Sequence, residues 1–119
     1  MNNKTLIISD TEADWQLFNT LLEPKGYTIQ TNRLNHTAEE AMSQERYSAI
    51  IIDYSLGQKK VDDCLSHLQA HGSKACIILY GNQPDPDNIS KILQKGVYAF
   101  IEKTLIPERI FDALLGCKQ

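Results

Sequence analysis

The sequence predicts an α/β domain, a parallel sheet of five strands with helices on both faces. Three observations carry this expectation. Short apolar runs rich in β-branched residues, such as Leu6-Ile7-Ile8, Ala49-Ile50-Ile51-Ile52 and Cys76-Ile77-Ile78-Leu79, read as strands covered on both sides. Between them lie segments whose apolar residues return at helical spacing. The two kinds of segment alternate, which requires right-handed crossovers and a parallel sheet.

The first strand spans Lys4 to Ile8 and ends in polar Ser9-Asp10. Asp10 or Thr11 is placed to cap the following helix, whose first turn carries Glu12 and Asp14. Trp15, Phe18, Leu21 and Leu22 give that helix its buried stripe, and Pro24 with Gly26 closes it. Tyr27 to Leu34 alternates weakly, as an edge strand does. Asn35 or Thr37 should cap a short helix running to Arg46, with Ala38, Ala41 and Met42 facing inward. Tyr47 leads into the central strand, after which Gly57-Gln-Lys-Lys60 reads as a loop. Val61, Cys64, Leu65 and Leu68 mark a helix ending near Gly72, with Asp62 and Asp63 in its first turn. Ala75 to Tyr80 is the fourth strand, followed by the turn-rich Gly81-Asn-Gln-Pro-Asp-Pro86. There Asp85 before Pro86 is an N-cap with proline at the first helical position. Ile89, Ile92 and Leu93 carry that helix to Lys95-Gly96, Val97 to Glu102 is the last strand, and Pro107 opens a final helix buried through Ile110, Phe111, Leu114 and Leu115.

At 119 residues the chain is one domain, residues 1–119, with room for one core. A composition of 42% hydrophobic and 23% charged residues is that of a soluble globular protein. The net charge of -3 argues against direct binding to nucleic acid or to an anionic membrane. No run approaches membrane-spanning length, and Met1-Asn-Asn-Lys4 leads into a strand rather than a leader peptide. Cys64, Cys76 and Cys117 are odd in number and lack CxxC spacing, so reduced thiols in a cytoplasmic protein are expected.

Chemistry is expected where the strands end. In a parallel sheet the loops after the strands open on one edge, which should collect Ser9-Asp10, Asp53, Tyr80-Gly81 and Lys103. Carboxylates held together there favour a hard cation such as Mg2+, and a lysine across the pocket supplies a point charge for an anion. Such a set lets Asp53 attack a phosphoryl donor while metal and lysine neutralise the transferring group.

The segments Leu6-Ile-Ile-Ser-Asp10, Ile50-Ile-Ile-Asp53-Tyr-Ser-Leu56 and Gly96-Val-Tyr-Ala-Phe-Ile-Glu-Lys103, in this order and spacing, resemble the receiver domain of two-component response regulators. The likeness covers essentially the whole chain. It implies a flavodoxin-like (βα)5 fold, sheet order 2-1-3-4-5, and a phosphorelay function that is not enzymatic. By the resemblance Asp53 is the phosphoacceptor, Asp10 and Asp53 with the backbone carbonyl of Ser55 hold Mg2+, and Lys103 contacts the phosphoryl group. Phe100 falls at the switch aromatic, and Tyr80 or Gly81 at the switch Thr/Ser. The implied partners are a sensor histidine kinase, an effector domain in the same chain and a second copy of the chain, with transcription regulation as the expected role. The chain stops at Gln119, where a final helix would hand over to a linker, so it is expected to be the N-terminal part of a longer regulator.

The departures are specific. Ser9 stands where the first acid of the usual pair belongs, which weakens the metal site by one charge. Neither Gly81 nor the large Tyr80 copies the switch hydroxyl. Thr104 replaces a proline usually in a cis peptide, so a trans bond is expected, non-proline cis being disfavoured by about 3 kcal/mol. Gly57 replaces another common proline. These features define a divergent receiver, with a degenerate pseudo-receiver acting as a phosphorylation-independent dimerisation or docking module as the alternative. A flavodoxin-like enzyme has no phosphate-cradling loop to support it, and no GxGxxG or P-loop is present. Asp63, His67 and His71 share a helix face but read as solvated surface, and Lys59 and Lys60 read as exposed loop lysines ahead of the alternative that one of them reaches the acidic pocket and partly replaces the cation.

Overall fold

A computed structural model of the chain describes residues 4–34, 40, 46–82 and 85–117. Five strands form one parallel sheet: β1 Lys4–Ile8, β2 Thr28–Asn32, β3 Ala49–Asp53, β4 Cys76–Gly81 and β5 Ala99–Glu102. Their order is β2-β1-β3-β4-β5, as expected, with β3 at the centre and buried along its whole length. Four helices are described: α1 Glu12–Leu22, α2 Gln58–Ala70, α3 Pro86–Gln94 and α4 Ile106–Cys117. The helix expected between Asn35 or Thr37 and Arg46, with its inward Ala38, Ala41 and Met42, falls almost wholly outside the described residues.

Alternation along each strand divides the core in two. Leu6, Ile8, Ile50, Ile52, Ile77 and Leu79 face α2 and α3, meeting Val61, Cys64, Leu65, Leu68 and Ile92. Ile7, Ala49, Ile51, Ile78, Tyr80 and Ile101 face α1 and α4, meeting Phe18, Leu22, Ile106, Ile110 and Leu114. Each large apolar side chain fully buried this way contributes roughly 1.5–3 kcal/mol, which makes the sheet a rigid platform for whatever its edge carries.

Local signals act largely as the sequence suggests. Asp85 caps α3, its Oδ1 accepting from the Asn88 amide at 3.0 Å. Gly26 ends the turn after α1 at φ +91°, a conformation that suits glycine. Other details differ: Thr11 stands at the start of α1 without a side-chain cap, and Leu115 of α4 is exposed rather than buried. Helix α2 begins at Gln58, so Lys59 and Lys60 sit in its first turn rather than in a loop, and Asp62 and Asp63 fall beyond that turn rather than in it. Strand β5 starts at Ala99 rather than Val97. Cys76 and Cys117 form a disulfide, with Cα atoms 5.7 Å apart, where reduced thiols were expected; Cys64 is buried and stands outside the disulfide. The pairing arises because the start of β4 and the end of α4 meet in the same layer of the core.

Candidate functional site

The strand register builds the site. Ile8 pairs with Ile52, Asp53 with Tyr80, and Gly81 with Glu102. Ser9, Asp53, Tyr80-Gly81 and Lys103 therefore arrive side by side at the C-terminal edge of the sheet, where an open α/β fold places ligands.

Asp53 is only 5% exposed and caps the 3₁₀ turn Tyr54–Leu56 that leads away from β3. Its Oδ1 accepts from the Ser55 amide at 2.9 Å and from the Ser55 hydroxyl at 2.7 Å. Its Oδ2 takes no hydrogen bond from the described residues. One oxygen is thus anchored and the other left without a donor. The Ser55 side chain, to whose carbonyl alone the resemblance assigns a role, supplies half of the anchor. The signal was present as a hydroxyl residue two positions after an acid, the spacing of a side-chain-to-backbone turn.

Lys103 does not reach Asp53. Its Nζ pairs with Asp14 Oδ1 at 3.1 Å. Asp14 lies in the first turn of α1 and is 3% exposed. Its Oδ2 accepts from the Tyr80 phenol at 2.8 Å and from the Ser9 hydroxyl at 3.1 Å. Ser9 Oγ in turn accepts from the Thr11 amide at 3.2 Å. Burial pushes the Asp14 carboxyl up, but the hydrogen bonds from Tyr80 and Lys103 outweigh it and hold the group below the ordinary carboxylate range. Burial, and then the nearby carboxylates of Asp14 and Asp53, push the Tyr80 phenol well up, so it stays protonated and donates. The Ser9 hydroxyl, standing where the family carries an acid, thus donates to the Asp14 carboxylate, which is itself paired with Lys103. Sequence reasoning placed Asp14 only as a first-turn acid and did not see this role.

Asp10 faces outward. Its side chain is 55% exposed, and Arg33 approaches its carboxylate at 4.0 Å while donating to its main-chain oxygen at 3.0 Å. The Arg33 guanidinium also lies 5.4 Å from the Trp15 ring, so the loop after β2 is tied to both. Among the described residues no ion pair reaches Asp53: Arg33 lies beside Asp10 and Lys103 pairs with Asp14. On the α2 and α3 side, Gly81 has close neighbours: a Cβ there would meet Tyr54 Cβ at 3.4 Å and both Ser55 N and Phe100 Cζ at 3.8 Å, in ordinary van der Waals contact. Phe100 packs edge-on to Tyr54, with ring centroids 5.9 Å apart. Tyr80 points to the opposite layer, so Gly81 is the residue beside Phe100. Gly57 has φ +124°, which proline cannot adopt, so the turn after Asp53 leaves by its own path. The described residues contain no cis peptide bond, in line with the expectation at Thr104. His67 and His71 stack at 4.2 Å, but no group of three metal-ligating side chains occurs among the described residues. Nor is any described helix long and apolar enough to cross a membrane.

Comparison with known proteins agrees with this architecture. Residues 5–115 match the family described as the response regulator receiver domain, and the chain belongs to that family. It is 26% identical over 115 residues to the sensory/regulatory protein RpfC of Xanthomonas campestris, covering 93% of this chain but only 16% of RpfC. The signal receiver domain of a LuxO repressor protein from Vibrio parahaemolyticus superposes with a TM-score of 0.87 at 19% identity, covering 99% of this chain and 94% of that one. A Burkholderia pseudomallei response regulator, solved with a phosphorylated aspartic acid, calcium ion and citrate, gives a TM-score of 0.81 at 20% identity, covering 93% and 65%. The chain is thus a two-component signalling module of the receiver class.

Proposed function

We propose that Asp53 accepts a phosphoryl group from a phosphohistidine of a sensor histidine kinase. Asp53 Oδ2 attacks phosphorus, and the bond from phosphorus to the donor nitrogen breaks with its electron pair leaving on the imidazole. An aspartyl phosphate results. The observation that carries this reading is the split carboxylate at the sheet edge: Oδ1 pinned by Ser55, Oδ2 without a donor among the described residues. A pinned carboxylate needs little reorientation before attack.

The donors at this edge, the carboxylates of Asp53 and Asp10 and the main-chain carbonyl of Ser55, are hard oxygens of the class that suits Mg2+, an ion that keeps several waters. Those three would hold it, as a site with two carboxylates rather than three, once the exposed Asp10 side chain turns from Arg33 towards Asp53. When bound, the ion neutralises charge on the phosphoryl group. Lys103 is the second cation, available once it leaves Asp14. Placed in the cytoplasm as a module of a longer regulator, the domain would pass the signal on through self-association or contact with an effector domain.

A second reading, a phosphorylation-independent docking module, is favoured by the ion pair that occupies Lys103 and by the absence of a hydroxyl at Gly81. One experiment separates the two. The purified chain is incubated with acetyl phosphate and MgCl2 and weighed intact. The receiver reading expects a mass gain of one phosphoryl group, abolished in Asp53→Asn and suppressed by EDTA. An unchanged wild-type mass leaves the docking module standing.

A further inference from the structure

The contact between Lys103 and Asp14 gains a function of its own once Asp53 is the acceptor, and it rests on that reading. Asp14 is a nearly fully buried carboxylate, and a buried charge without partners is strongly disfavoured. It has three partners, of unequal kinds. Tyr80 donates from within the core and Ser9 from the end of β1, both from buried residues. Lys103 donates from a short turn with its side chain 46% exposed. The first two are fixed by packing; only the lysine can leave into water. Asp14 also lies in the first turn of α1, where the aligned peptide dipoles favour a negative charge, so it can stay ionised after the lysine has gone.

Asp53, meanwhile, has no cation in contact among the described residues, and its anchor is made by neutral donors from Ser55. Phosphorylation would raise the charge at this position towards -2. At equal distance a lysine is attracted about twice as strongly by such a group as by one carboxylate. The balance between the two ends of the crevice then reverses.

We propose that Asp14 is a positioning residue: it withholds Lys103 from Asp53 in the unphosphorylated chain and releases it to the phosphoryl group during transfer. Asp14 touches neither the donor nor the acceptor. It sets how often the lysine is free to serve, and so slows the reaction of the unstimulated protein. Removing its charge should therefore speed phosphorylation, whereas loss of a purely structural carboxylate would slow it or leave it unchanged.

The test measures the initial rate of phosphoryl-adduct formation from acetyl phosphate and Mg2+ for the wild type, Asp14→Asn, Lys103→Met and the double variant. The expected result is a gain on the order of fivefold in Asp14→Asn, the size of a half-exposed ion pair removed. That gain should vanish when Lys103→Met is added. A rate in Asp14→Asn equal to or below wild type overturns the proposal, as does a gain that survives in the double variant. No adduct on any of the four proteins sinks the acceptor reading and the proposal together, which keeps the two failures distinct. If Asp14→Asn melts below the assay temperature, Asp14→Ser, a smaller neutral residue at the same helix start, takes its place in the series.

Discussion

At the scale of single residues, Asp14 and Asp53 show how burial and charge part company. Both carboxylates are nearly inaccessible, yet one is satisfied on both oxygens and the other on one only. The consequence for Asp14 is a pH dependence of stability with a definite sign. Its carboxyl is held below its ordinary value in the folded chain, Tyr80 and Lys103 outweighing burial, so the unfolded chain binds the proton more readily. The stabilisation is complete above the unfolded carboxylate value of about 3.9 and is lost as pH falls through the lower folded value. Asp14→Asn carries no such ionisation. Urea unfolding of both proteins between pH 3 and pH 7 should show the wild type ahead at neutral pH and the gap narrowing below about pH 4. A gap of constant size across that range would mean that Asp14 is not held ionised by its neighbours.

At the scale of elements, the covalent link between β4 and α4 is the main departure from expectation. The helix packs on the sheet through Ile106, Ile110 and Leu114, and the disulfide fastens its last residue to the start of the strand. Cys76 and Cys117 are 41 residues apart in sequence, and closing a loop of that size restricts the unfolded chain by about 4 kcal/mol in the chain-entropy account. Cys117→Ser should accordingly lower the unfolding free energy by about 2–4 kcal/mol without reductant. With dithiothreitol present the two proteins should unfold together, and alkylation of the denatured wild type should count two more thiols than before reduction. Equal stability in both conditions would show that the bond contributes nothing in solution. An odd cysteine count with no close spacing gave no hint of this, because pairing depends on which element ends meet across a layer. The strands themselves were legible because their apolar runs are short and unbroken. Helix α2 was legible by its apolar spacing but not in its first turn, where Gln58, Lys59 and Lys60 are polar and carry no period.

At the scale of the whole molecule, the sequence revealed where the chain goes better than where its long side chains point. The sheet order followed from the family likeness, and the shared edge from parallel topology. The direction taken by Lys103 did not, since an extended side chain at a strand end can reach several acids, and only packing decides that Asp14 lies closest. The two-layer core has a further consequence. Trp15, the only tryptophan, lies on the α1 and α4 side, whereas Ile52 is buried on the other side against α2 and α3. If the layers formed separate folding units, a cavity at Ile52 would leave the tryptophan transition untouched. Both layers, however, share β3, whose Ile51 and Ile52 are fully buried on opposite faces of one backbone ladder. Truncation of such a residue to alanine typically removes roughly 2–5 kcal/mol, a large part of the roughly 5–15 kcal/mol that holds a domain folded. Ile52→Ala and Ile51→Ala should therefore each shift the Trp15 fluorescence and far-ultraviolet dichroism transitions together, as one cooperative unit does. A fluorescence midpoint that stayed at the wild-type value in Ile52→Ala while the dichroism midpoint fell would show that the layers unfold independently, and that the sheet does not mechanically join the Asp53 turn to the Asp14 cluster.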